Sequence, residues 1–236
     1  MLKTIGLVLL LLNVSQAHAG YQCSVRPQYD VSITPQVLQL QGTYTMEITP
    51  DGGVRVNDTT LKLSDDQRQR AFDFQSALRK KLSWIDQQAQ WELKRAYLSL
   101  DNIIVKQFGE GSRDIRDHLE TVNGKLEQPL SQIFEHSDDS LTFHHDAIAK
   151  AEIDGNEIIQ QGLETLLQDV FKAIDDNQVT RDESNSFQYQ SGIEQDILSV
   201  VRNQETNFRD FEKNVCEQVT TLEKQRKELI KALSLS

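Results

Sequence analysis

The stretch SDDSLTFHHDAI, residues 137–148, holds the densest set of side chains able to do chemistry. With the preceding residue it gathers His136, Asp138, Asp139, His144, His145 and Asp146. Imidazole and carboxylate together are the ligand types of divalent metals and the partners of a general base. Read locally, however, the segment is a polar helix start, with Thr142 as cap and HSDDS as the turn before it. On a helix, His144 and His145 stand about 100° apart and do not face one point as an i, i+4 pair would. HExxH is absent, and no GxSxG elbow supplies a nucleophile. The expectation is therefore no metal ligands, no catalytic residues and no cofactor. A metal-binding protein or hydrolase using the His136/His144/His145 region is the alternative. AEIDGNE resembles a calcium loop only briefly, since Lys150 and Gln161 would occupy its first and twelfth positions.

The chain has two cysteines, Cys23 and Cys216. Tyr21 and Gln22 precede Cys23, where a lipid-bearing cysteine needs small residues directly at a cleavage point. No CxxC occurs, and no histidine flanks either cysteine to complete a zinc site. An even pair in an exported chain points to a disulfide, which would close almost the whole mature chain into one loop.

Export is read from residues 1–19. Lys3 is their one charge, the run from Ile5 to Leu12 is apolar apart from Gly6, and Ala17 and Ala19 fit a signal cleavage pattern. Cleavage between Ala19 and Gly20 is expected. The apolar run is too short to span a bilayer, which takes about 20 residues, so neither a transmembrane nor a lipid anchor is expected. The formal net charge is −11 over 236 residues, and removing Lys3 makes it more negative. Such a balance disfavours nucleic acid, whose phosphates would repel it, and anionic lipid surfaces.

The elements that position these groups change period once. Residues 20–63 read as a β-meander of three or four strands: DVSITPQVLQL and TYTMEIT carry β-branched and aromatic residues in partial alternation. Pro50-Asp51-Gly52-Gly53 and Asn57-Asp58 supply turns. Ser64 opens the region 64–236 as an N-cap, with Gln67 at the capping-box position. An apolar stripe from Phe74 runs at helical steps to Phe108, with a possible break near Leu82-Ser83. GEGS stops it and recaps a second stripe, Ile115 to about Glu135. A third runs from Ala147 to Ile174, DDNQVTRDESNS reads as a loop, and a fourth runs from Ile193 to Leu233. The fold expected is α+β and mainly α: a small antiparallel meander followed by long antiparallel, coiled-coil-like helices, packed as one unit. Gly155 and Gly162 suggest close helix packing or a bend, and Trp84 and Trp91 read as packing residues on one helix face.

The order of QCSV, SITPQ, ITPDGGV, LSWID, SLTFHHDAI and VCEQVTTLEKQRKEL resembles the YggN-like family of Gram-negative bacteria, exported proteins with a domain of unknown function. The resemblance covers Tyr21 to the C-terminus and is weakest around residues 175–192. It implies a periplasmic location and two cysteines at the positions of Cys23 and Cys216. It implies no activity, cofactor or catalytic residue.

The leading expectation is thus a non-enzymatic periplasmic protein, an interaction, scaffold or chaperone-like module with helical surfaces for a protein partner. Small-ligand binding between helices is a third option, recognisable as a closed apolar pocket. The partner and the oligomeric state are not encoded in any motif.

Overall fold

The computed structural model describes residues 23–178 and 183–235. Residues 1–22, and with them the expected leader and the Ala19–Gly20 cleavage point, lie outside them. Five strands come first: β1 Asp30–Ile33, β2 Leu38–Gln41, β3 Thr45–Ile48, β4 Val54–Val56 and β5 Thr59–Thr60. Then follow α1 Asp65–Phe108, a 3₁₀ turn Gly109–Ser112, α2 Arg113–Ile133, the hairpin β6 Phe134–Ser137 and β7 Ser140–Phe143, α3 Ala147–Gln178 and α4 Glu183–Ala232. The fold is α+β and mainly α.

The turns form where their chemistry demands. Asn57 and Asp58 both take positive φ, 44° and 66°, the requirement of a two-residue primed hairpin turn. Gly52 sits at φ 82° against the Arg68 backbone, where a Cβ would stand 2.3 Å from the Arg68 carbonyl oxygen, so no other residue fits there. The Ser64–Gln67 capping box starts α1, which then runs unbroken past Leu82 and Ser83. Ser112 makes no side-chain cap for α2; its hydroxyl bonds back to the Gly109 carbonyl.

Three sequence expectations need correction. The second apolar stripe ends at Ile133, because Phe134 begins a strand. Residues 140–143 are that hairpin's second strand, so Thr142 is not a helix cap. Region 64–236 therefore donates two strands to the sheet, whose order is β5-β4-β3-β2-β1-β7-β6. The expected loop at DDNQVTRDESNS is helical at 175–178 and 183–186, and residues 179–182 lie outside the described ones. With Phe134 alone apolar in FEHS, and Leu141 and Phe143 in SLTF, the alternation is too short to stand out between helical neighbours.

All seven strands pair antiparallel in one register, which separates the faces. The inner face carries Phe134, Phe143, Val31, Leu40, Met46, Leu38, Ile48 and Val54, all buried. It packs on Ala71, Phe74, Leu78 and Leu82 of α1 and on Leu222 and Leu229 of α4. The outer face carries one polar row across every strand: Glu135, Thr142, Ser32, Gln39, Glu47, Arg55 and Thr60. A second core lies at the far end, where Ile104, Ile115, Leu119, Leu166, Val170, Ile174, Ile193 and Ile197 bring all four helices together. α1 and α4 are antiparallel: Gln67 Nε2 donates to the Ala232 carbonyl, Trp84 meets Phe211, and Gln204 reaches Ser99.

The N-terminal segment is fastened to α4. Cys23 and Cys216 stand at disulfide distance, with Sγ atoms 2.07 Å and Cα atoms 5.5 Å apart. Two helical turns further on, the Tyr29 hydroxyl donates to the buried Glu223 carboxylate. Arg226 pairs with Glu223 at 3.1 Å and lies 4.7 Å over the Tyr29 ring.

Candidate functional site

The sheet register, rather than a helix, places the histidines. His144 follows β7 directly, and its backbone N–H donates to the Ile133 carbonyl at 2.9 Å. Extending the β1–β7 pairing by one step sets it opposite Asp30 on the outer face. There its Nδ1 is 3.4 Å from Asp30 Oδ2 and its Nε2 is 3.1 Å from Glu135 Oε2. The chain then turns into α3. That turn brings His145 back to the same carboxylate: its backbone N–H donates to Asp30 Oδ1 at 3.0 Å, and its Nδ1 lies 2.6 Å from that oxygen. His144 and His145 thus converge on Asp30, which corrects the helical reading that set them apart.

His136 goes elsewhere. It alternates with Glu135 along β6 and so points to the opposite face of the sheet. Its Nε2 lies 3.0 Å from Oδ2 of Asp86, a buried residue of α1. Gln90 also donates to Asp86, at 2.8 Å. Asp138 and Asp139 form the hairpin turn and join neither group. Asp146 does join the outer-face cluster: ligating atoms of Asp30, His145 and Asp146 all lie within 4.8 Å of one another.

The electrostatics follow from these contacts. The Glu135 hydrogen bond is the chief force raising the His144 pKa above the ordinary histidine value, helped by Asp30 and opposed by partial burial. For Asp30, burial disfavours the charge, but the His145 side-chain and backbone hydrogen bonds and the His144 contact outweigh it and hold its pKa low. Asp30 and Glu135 are absent from the sequence-level set. Asp30 lies 114 residues before His144, and only the pairing of β1 with β7 joins them, so no local pattern announces it.

The helices offer two other features. Between α2 and α3 is a groove of about 350 Å³, lined by His118, Thr121, Lys125, Gln128, Asp154 and Gln161 among others. It is open and largely polar, unlike the closed apolar pocket that small-ligand binding between helices called for. These helices approach closely at Gly162, where an added Cβ would lie 2.8 Å from both Val122 methyls, whereas Gly155 has nothing within 4 Å. On α1, Trp84 packs on Phe211 with ring centroids 6.3 Å apart, but Trp91 is 53% exposed, with Leu98 and Val105 each at 41%. The expectation that both tryptophans pack holds for Trp84 alone.

A family model described as "Protein of unknown function (DUF2884)" matches residues 23–234. The chain belongs to this family. It is 36% identical over 226 residues to "Uncharacterized protein YggN" of Escherichia coli strain K12, covering 94% of each chain. The same figures hold for the proteins so described in E. coli O157:H7 and O6:H1. No solved structure matches the chain. DUF2884 membership accounts for residues from Cys23 almost to the C-terminus, so both cysteines, the histidine cluster and the four described helices fall within the family's span.

Proposed function

We propose that this is an exported periplasmic protein, without catalytic activity of its own, that binds another protein through the exposed face of α1. The export reading is supported by the apolar leader and by two cysteines at disulfide distance. Among the described residues, no helix is long and apolar enough to cross a membrane. The binding reading is carried by one observation. Trp91, Leu98 and Val105 recur at seven-residue steps on the solvent side of α1, and the exposed residues beside them are Gln87, Gln90, Lys94, Asn102 and Lys106. The two carboxylates in that stretch are withdrawn: Glu92 is buried, and Asp101 is held by Arg116 at 2.6 Å.

An apolar, cationic face without an exposed carboxylate is unusual in a chain with 36 acidic and 25 basic residues. Exposed aliphatic and aromatic side chains in line mark a contact surface. Lys94, between Trp91 and Leu98, and Lys106, next to Val105, select an acidic protein as partner, with desolvated Trp91 as the anchor. A partner captured with the exported protein should bind it again when both are pure. The affinity should fall as salt is raised, by screening, and Lys94→Glu and Trp91→Ser should each weaken it at least tenfold. Salt-independent binding unaffected by either substitution, or self-association through this face, would overturn the reading.

A further inference from the structure

We infer that Asp30, His145 and Asp146 form a binding site for one divalent transition-metal ion, with zinc as the best-matched probe. This inference is independent of the α1 face, which lies on another element. Three observations carry it. First, one imidazole and two carboxylates from two separate parts of the chain bring ligating atoms within 4.8 Å of one another. That set suits zinc and its first-row neighbours, and three protein ligands leave a position open for water. Second, Asp146 is exposed and, among the described residues, makes no side-chain hydrogen bond or ion pair, so its carboxylate is free to ligate. Third, Asp30 is already oriented by a second tier: the His145 backbone N–H holds Oδ1, and His144, itself braced by Glu135, holds Oδ2. Such outer partners fix the direction of metal ligands.

The charge points the same way. Asp30, Glu135 and Asp146 put three carboxylates around two histidines, in a chain of formal net charge −11. A cation relieves their mutual repulsion. Ligation needs His145 to carry its proton on Nε2, which frees the Nδ1 lone pair; Asp30 is already ionised. Two zinc ligands at tetrahedral angles stand about 3.3 Å apart, so the 2.6 Å Asp30–His145 separation must widen. A small side-chain rotation supplies that, and exposed Asp146 swings in to complete the set.

The test uses the full mature protein, stripped with chelator and then titrated with Zn²⁺ by calorimetry, with Co²⁺ absorption as a second readout. One ion per chain is expected, with tetrahedral-type cobalt bands. His145→Ala and Asp146→Asn should each weaken zinc binding at least tenfold. His136→Ala, on the other face of the sheet, should leave it unchanged. Asp146→Asn keeps the test decisive if His145→Ala fails to fold, because Asp146 supports no other residue. Absence of saturable binding, unchanged affinity in Asp146→Asn, or loss of binding in His136→Ala would overturn the site.

Discussion

The Tyr29 hydroxyl donates to the Glu223 carboxylate across 194 residues of sequence. It thereby ties the entry of the first strand to the last helix. Burial and the neighbouring Glu223 charge push the Tyr29 pKa well up, so the phenol stays a donor. Glu223 is buried, and its other partner is Arg226. Tyr29→Phe keeps the ring under Arg226 but removes one partner of a buried carboxylate. The expected cost is about 1–3 kcal/mol, read as a lower urea midpoint with an unchanged slope. A midpoint equal to wild type would show that the bond contributes nothing.

The Cys23–Cys216 pairing lies in the same strip of α4. In the exported protein proposed above, thiol labelling after unfolding without reductant should find no free thiol. Reduction should then lower the unfolding midpoint. The loop-entropy model allows up to about 5 kcal/mol for a loop of this length, and the measured loss should be smaller, because the reduced unfolded chain retains structure. Two free thiols would contradict the bond.

Gly155 and Gly162 on α3 should respond oppositely. Gly155→Ala gains helix propensity of about 1 kcal/mol with nothing in the way. Gly162→Ala meets the Val122 methyls at 2.8 Å, and overpacking of about 1–3 kcal/mol exceeds the same gain. The double variant Gly162→Ala with Val122→Ala should recover part of the loss. Equal stabilisation by both single substitutions would mean that α2 and α3 do not pack closely there.

Stability in chelator-treated protein should depend on pH through the His144 group. Its pKa is raised in the folded state. Its contribution is therefore complete below the unfolded value of about 6.5 and is lost as pH rises through the higher folded value. Asp30 has the opposite sign: its folded pKa is lowered, so its share is present above about 3.9 and is lost as pH falls through the folded value. Glu135→Gln should bring the His144 titration, followed by NMR, down toward the ordinary histidine value. An unchanged titration would show that Glu135 does not hold the ring.

Much of this architecture is legible in the sequence where the reasons are local. The Ser64–Gln67 capping box, the Asn57-Asp58 turn and the apolar steps of α1 and α4 depend on residues a few positions apart. The hairpin at 134–143 is not legible in that way. Its strands are four residues each, flanked by long helices, and they are stabilised by β1 more than 100 residues earlier, so tertiary pairing overrides the local pattern. That misreading conceals the candidate site. Once Ser140–Phe143 is a strand, adjacent His144 and His145 no longer fan around a helix: the β1–β7 register sets His144 opposite Asp30, and the turn into α3 brings His145 back onto it.

Photo-crosslinking along α1 in the periplasm tests the binding account most directly. A photoreactive residue is placed in turn at 87, 91, 94, 98, 102 and 105, and at exposed Ile153 of α3 for comparison. The account predicts one discrete adduct, to the same acidic protein, from 91, 98 and 105 and weaker from the positions between them, with none from 153. Adducts of equal strength from 153, or none along α1, would contradict it.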